Sequence, residues 1–343
     1  MNPTGGRAET AAALPQGLAV REATAADNDS LIALELESPL DTALGEETYD
    51  RSPDFFACHR HKPDYRVVMA EWDGRAVGVM TGVIHEPLIQ GKPRKLMYVQ
   101  QARVHRAYHG RRVAWALAND LFAWARSRGA EGPYYLIAPD NKPSLAFVER
   151  GGGRWPTDVS LISFEASGVE AAPPPNVGAE HVDNVVRLIN ATHAGEDFFE
   201  PLTAASLAAR LGRDKNYRIA DIHGIFEDGT LIAVGGLWDK GATTERRHLD
   251  RATGVLTRSR SAYVVDWGWA PGREDAFAAL LRGLAATVRR LDRSGLMICE
   301  PSQGKLPEAG IPAHRSAVAL FTPSLTPPDP GSIHGLCVDM LYV

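Results

Sequence analysis

The sequence predicts an α/β fold, an α+β mixed sheet in which one sheet-and-helix unit occurs twice in tandem. Three observations predict it. Apolar runs at strand spacing alternate with segments of helical period along the chain. An Asp-Gly turn between two apolar runs occurs once in each half, at Asp73-Gly74 and Asp228-Gly229. A Tyr-Val strand leading to a helix then follows each turn, at Tyr98-Val99 and Tyr263-Val264. The 343 residues, 44% hydrophobic and 23% charged, suit two globular domains of ordinary composition.

Residues 1–16, rich in Gly, Ala, Thr and Pro, read as a flexible leader, since they lack the basic start and apolar core of a signal segment. A strand at 18–21 precedes a helix capped by Thr24 or Asp27, with Leu31, Ile32 and Leu36 as its apolar positions and Pro39 as its end. The mixed stretch 41–62 is expected to form one or two short helices. Apolar runs at 66–71 and 76–84 form the first hairpin, and a loop over 86–95 leads to a strand at 98–104. Val113, Leu117, Leu121 and Trp124 recur at helical spacing up to Gly129. A fully apolar run at 133–138 reads as a buried strand, a helix begins at Asn141, and a strand at 159–165 closes a first domain spanning 17–166. Gly168 and Pro173-Pro174-Pro175 mark 167–177 as a linker.

The second domain, 178–343, repeats this order. Helices carrying Val182, Val185, Val186 and Ile189, then spanning 203–211, precede strands at 217–226 and 231–238. After a loop at 239–261 come a strand at 262–269, a helix at 274–291 and a buried strand at 296–299.

A net charge of -5 gives no global basic field, so nucleic acid is not an expected partner. Cys58, Cys299 and Cys337 lie too far apart for zinc or redox spacing, which points to a reduced, cytoplasmic protein. The segment Cys58-His59-Arg60-His61 is expected to be exposed rather than to hold metal. No apolar run is long enough for a helical membrane span.

The chemistry is concentrated where the strand at 98–104 passes through a basic turn, 107–112, onto a helix N-terminus. Unpaired backbone N–H groups there face the positive end of the helix dipole. Arg111 and Arg112 add full charges, Gly110 lets a ligand approach the backbone, and Ala114 keeps the first turn thin. Such a turn suits a pyrophosphate.

This segment, together with Asn141 to Phe147 and the glycines Gly151, Gly152 and Gly153, resembles the acyl-CoA loop and the following helix of the GNAT superfamily of N-acyltransferases. The family's Gln/Arg-x-x-Gly-x-Gly/Ala falls on His109, Gly110, Arg111, Arg112, Val113 and Ala114, with His at the first position and Arg112 at the central glycine. The resemblance implies two GNAT-like domains, each a mostly antiparallel twisted sheet flanked by helices, with a splayed central strand pair. It implies acetyl-CoA or another acyl-CoA as co-substrate, without metal. The pyrophosphate would lie on residues 109–114, the thioester arm on Ala102, Arg103 and Val104, and the pantetheine near Asn141 and Ser144.

The implied activity is transfer of an acetyl or other acyl group to an amine of a small molecule or peptide, by a monomer or homodimer with no nucleic-acid or membrane partner. Tyr98 and Gln100, on one face of the central strand, are the candidate catalytic residues, where the family often has a carboxylate base. Glu35, Glu37, Glu71 or water remain open as the base. The family's usual proton-donating Tyr is Val148 here, leaving Tyr134 or Tyr135. An acidic rim of Glu35, Glu37, Glu46 and Glu47 would suit a cationic acceptor. In the second half, Glu274 and Asp275 occupy the helix N-terminus and would repel pyrophosphate, which assigns that half a structural or acceptor-shaping role. Val148 and the glutamines also motivate a competing expectation: a catalytically silent protein that binds acyl-CoA as a sensor or assembly partner.

Overall fold

The computed structural model describes residues 14–152, 157–213, 215–301, 306–321 and 340. The first half contributes β1 (Leu18–Glu22), α1 (Asn28–Glu37), β2 (Asp64–Trp72), β3 (Arg75–His85), β4 (Leu96–Val104), α2 (Val113–Ser127), β5 (Gly132–Ile137), α3 (Lys142–Arg150) and β6 (Thr157–Glu165). The second contributes α4 (Val182–Thr192), α5 (Ala204–Arg213), β7 (Ile222–Glu227), β8 (Thr230–Trp238), β9 (Ser261–Trp269), α6 (Glu274–Arg290), β10 (Gly295–Pro301) and β11 (Ala313–Phe321). Most of these elements lie where periodicity places them. Tyr217 does not: it is buried ahead of β7, which begins only at Ile222.

All eleven strands join one sheet, in the order β1-β2-β3-β4-β5-β11-β6-β10-β9-β8-β7. The order is symmetric about the β11–β6 pair: β5 matches β10, and the last strands of the two halves are exchanged across the middle. The halves on either side of the 167–177 linker therefore share a sheet. β11 has no counterpart in the sequence reading, because Ala313-His-Arg-Ser-Ala317 carries neither strand alternation nor apolar bulk. The linker's end also pairs, with Val177 N–H donating to Ile222 O at 2.7 Å.

Neighbouring strands are antiparallel except at two places. β4 and β5 run parallel and pair only from Leu96–Gly132 to Val99–Tyr135. β9 and β10 run parallel and pair only from Ser261–Gly295 to Tyr263–Met297. Beyond those points each pair diverges. Each central strand then carries a bulge, marked by a non-glycine residue in left-handed backbone, Gln101 (φ 52°) and Asp266 (φ 46°). Both hairpin turns also have positive φ at Asp and Gly, 49° and 81° at Asp73 and Gly74, 49° and 77° at Asp228 and Gly229.

α2 lies on one face of β2–β5, with Val113, Leu117 and Leu121 in a core containing Val68, Met80, Met97 and Val99. Gly78 permits that approach, since a Cβ there would come within 2.8 Å of Val113 Cγ1. α6 covers the second half in the same way, and a third core containing Tyr98, Tyr134, Phe198, Trp238 and Val265 joins the halves.

Of the stretch expected to form short helices, 41–62, Phe55–Cys58 does form a short 3-10 helix, whereas Gly45–Asp50 joins part of the expected loop 239–261 in a second sheet between the halves. Gly45–Asp50 pairs with Glu245–Asp250, from Gly45↔Asp250 to Asp50↔Glu245. Ion pairs Glu47–Arg246 and Asp50–Arg247 accompany the register. The pairing partner lies about two hundred positions away, so local propensity did not carry this element.

Candidate functional site

The turn before α2 has the conformation an anion site needs. Gly110 (φ 74°) and Arg112 (φ 66°, ψ 9°) are both left-handed, and a side chain in that region costs roughly 1 kcal/mol relative to glycine. Arg112 is the N-cap of α2, and the first intrahelical bond runs from Ala116 N–H to Arg112 O at 3.0 Å. The N–H groups of Val113, Ala114 and Trp115 precede that bond, and no acidic side chain lies in this first turn. His109 folds back on the strand: its Nε2–H donates to Val104 O at 2.9 Å. Arg111 places its guanidinium 5.5 Å from the Trp72 ring centroid and 5.4 Å from that of Tyr108.

Next to the turn lies the splay. Residues 100–104 of β4 pair with β3 on one side and, among the described residues, with no strand on the other. Ala102, Arg103 and Val104 are on this open stretch. Arg103 turns to the face away from α2, over the Tyr49 ring at 5.7 Å, and donates to Ala102 O at 3.0 Å. On the α2 face, a cavity of about 310 Å³ is lined by Met97, Trp115, Tyr135, Phe147 and Val148 among others. Val148 is a core residue at 3% exposure, whereas the Tyr135 hydroxyl beside it has no hydrogen-bond partner among the described residues. Burial pushes the Tyr135 phenol up, so it stays protonated at neutral pH. Tyr134, in contrast, hydrogen-bonds His85 Nε2 through its hydroxyl at 2.8 Å, and its ring stacks on Tyr98 at 5.0 Å. Tyr98 thus sits in the core between the halves. Asn141 accepts from Ser144 N–H at 3.2 Å as the N-cap of α3, which places both at one helix start. Of the closing glycines, Gly153 lies outside the described residues.

The opposite face of β4 is polar, and its organisation was not foreseen. The bulge brings Gln100 and Gln101 onto this face opposite Thr81. With its amide oriented to satisfy both ends, Gln101 accepts from Arg51 Nη2 (2.8 Å) and Nε (2.9 Å) and donates to Thr81 Oγ1 (3.0 Å) and His59 Nε2 (2.7 Å). Arg51 forms a buried ion pair with Glu35. Cys58, His59 and His61, expected on an exposed segment, are buried at 5%, 0% and 3% exposure, as is the adjoining Lys62 at 4%. The second half covers them: the His61 ring is 4.6 Å from that of Trp238, and Lys240 lies 4.7 Å over Tyr263. Local polarity could not reveal this, because the covering residues come from the other half.

The expected acidic rim is already neutralised. Glu35 pairs with Arg51, Glu37 with Arg75 at 3.0 Å, Glu46 with Arg106 at 3.6 Å, and Glu47 with Arg246. Glu71 is held by Arg21 at 2.7 Å on β2. None of these carboxylates stands free to attract a cation. Among the described residues, no cluster of three or more His, Cys, Asp or Glu side chains could hold a metal ion.

The second splay is filled. His193 Nε2–H donates to Trp267 O at 3.0 Å, Trp269 N–H donates to Thr192 Oγ1 at 2.9 Å, and Thr192 Oγ1 donates to Trp269 O at 3.2 Å. Met340 packs into the adjoining core. At the bulge, Asp266 accepts from Arg210 (2.5 Å) and Tyr217 (2.7 Å). The helix N-terminus carries Glu274 and Asp275, and Arg273 bonds Asp275 at 3.2 Å and also pairs with Glu227.

The model of the acetyltransferase (GNAT) family matches residues 29–153, which span α1, the first splay, the turn and α3. No curated protein is significantly similar to the chain in sequence. Among solved structures, Saccharomyces cerevisiae N-myristoyltransferase with bound myristoyl-CoA is similar at TM-score 0.66 and 10% identity, over 94% of this chain and 82% of that one. A GCN5-related N-acetyltransferase from Sphaerobacter thermophilus is similar at TM-score 0.55 and 14% identity, over 90% and 96% of the two chains. At such identities the likeness is one of fold.

Proposed function

We propose that the chain, whose residues 29–153 match the model of the acetyltransferase (GNAT) family, transfers an acyl group from acyl-CoA to the amine of a small molecule or peptide, using only its first splay. The observation that carries this reading is the junction of an open strand edge, residues 100–104, with an uncapped, acid-free helix N-terminus at 113–115. The backbone turn at Gly110 to Ala114 takes the pyrophosphate, with Arg112 wrapping over it as an added cation. The pantetheine arm crosses the gap and pairs with the free edge of Ala102 to Val104, as an added strand would. This sets the thioester at the bulge, between the α2-face cavity and the polar face.

The residues then divide the chemistry. Backbone N–H groups of the open edge polarise the thioester carbonyl. Attack by the neutral amine forms the C–N bond, and collapse breaks the C–S bond to give the amide and a thiolate. Tyr135, protonated and lining the cavity, supplies the thiolate's proton in place of the family's tyrosine at Val148. Among the described residues no carboxylate stands free at the bulge, which favours an acceptor amine that loses its proton to water.

Steady release of CoA thiol that requires an added amine supports the reaction. Tyr135→Phe is expected to lower turnover about 100-fold with acyl-CoA affinity unchanged, and Tyr134→Phe to leave turnover near wild type. Val148, buried where the family has its proton donor, is the observation favouring a silent acyl-CoA-binding protein. Binding of acyl-CoA with no amine-dependent thiol release across an amine panel would establish that second reading instead.

A further inference from the structure

Among the described residues, the polar face of β4 has hydrogen-bond donors with no acceptors to match them. His59 is fully buried, and because its Nε2 accepts from the Gln101 amide, its proton sits on Nδ1, which has no partner. Gln100 presents a buried Nε2 that also has none. The Lys62 ammonium, on a residue 4% exposed, has no hydrogen-bond or ion-pair partner among the described residues. These three groups are local to one another. Lys62 N–H bonds His59 O at 2.9 Å, His59 bonds Gln101, and Gln100 is the first residue of β4 beyond its last pair with β5. The three residues are thus neighbours on the face beside the point where the gap opens, and the Lys62 charge acts on His59.

The surroundings deepen the imbalance. Arg51 and Arg103 line the same face, while Tyr49 and Tyr263 have phenols pushed up to about 12 and stay neutral. Glu35 is taken by Arg51, and Cys58 acts as a donor to Phe55 O at 3.5 Å. Burial, with Lys240 and Arg51 adding to it against the Cys58 sulfur, brings Lys62 down to about 7. An unpaired buried donor costs about 1–3 kcal/mol and a charged one more, so such a set persists where a ligand supplies the acceptors.

We propose that the amine acceptor carries a carboxylate, bound by Lys62, His59 and Gln100 on the face of β4 opposite α2. A carboxylate offers two oxygens and about four lone-pair directions, enough for an ammonium, an imidazole N–H and an amide N–H at once. A cationic acceptor would meet Lys62 and Arg103 with like charge. The word acceptor rests on the acyltransferase reading; the carboxylate site rests on the donors alone.

The test separates the two. With CoA present, the wild-type chain is titrated calorimetrically with a series of N-acetyl amino acids, with the matching N-acetyl amino acid amides, and with inorganic phosphate. At least one acid should bind about tenfold or more tighter than its amide and tighter than phosphate. Lys62→Met should bring that acid to the level of its amide while leaving CoA affinity unchanged. Equal binding of acids and amides, no binding of any acid, tighter binding of phosphate than of every carboxylate, or an intact acid preference in Lys62→Met would each overturn the proposal. CoA is titrated alone in parallel. Acid preference without CoA binding would sink the acyltransferase and keep the carboxylate site; CoA binding without acid preference would do the reverse.

Discussion

The two central strands make a controlled comparison within one chain. β4 and β9 each pair with a parallel neighbour for three or four residues, each diverge from it, and each carry a left-handed bulge residue at the same distance after a Tyr-Val. Around β9 the freed groups are answered from within: Thr192 and His193 of the α4 end serve its backbone, Arg210 and Tyr217 serve Asp266, and Glu274 and Asp275 serve the dipole of α6. Around β4, among the described residues, the corresponding groups are left open, and Lys62 stands near the bulge without a carboxylate to match. One geometry can thus be a structural joint or a site. What decides is whether the chain's own side chains fill the groups that divergence exposes.

Making the first half like the second should have the largest effect. Ala114→Glu sets a carboxylate in the first turn of α2, as Glu274 and Asp275 stand in α6. It should weaken CoA about 100-fold or more, measured by calorimetry, with stability little changed. Retained affinity would break the claim that this N-terminus holds the phosphates.

The open half should also carry a stability cost that depends on pH. Folding lowers the Lys62 pKa from 10.5 to about 7. Between those values the unfolded chain holds the extra proton, so the cost of burying this lysine is full below pH 7 and fades as pH rises toward 10.5. Lys62→Met should therefore stabilise the ligand-free protein by about 2 kcal/mol at pH 6 and by less at pH 9, read from denaturant midpoints. A larger gain at pH 9 would contradict the sign.

Opening the closed half is expected to cost stability without creating a site. Thr192→Val removes both hydroxyl bonds to Trp269 and should destabilise the fold by about 1–2 kcal/mol, with acyl-CoA stoichiometry unchanged. The smallest change in stability concerns Arg112. Arg112→Gly relieves its left-handed backbone and should stabilise the fold by about 0.5–1 kcal/mol while weakening CoA by about 1–2 kcal/mol, a loss that shrinks at high salt. Tighter CoA binding by this variant would show that the arginine obstructs the turn.

Much of the first-half site was legible because its parts are local. The Gly110 to Ala114 turn, the α2 face of Val113, Leu117 and Leu121, and the Asp-Gly hairpins are each set by neighbours in sequence. The bulges, the splay and β11 were not, since they follow from pairings between distant strands. The carboxylates show the same division. Glu35 and Glu47 look like free charges in sequence, and only the fold brings Arg51 and Arg246 against them. Lys62 was passed over for the converse reason: nothing near it announces burial, and the second half supplies its cover.

Hydrogen exchange at the two central strands, with and without acyl-CoA, tests the asymmetry most directly. Adding acyl-CoA should protect amides at 100–104 and 113–115 strongly and leave those at 264–269 unchanged. Protection at 264–269, or none at 100–104, would contradict the account that only the first splay receives the co-substrate.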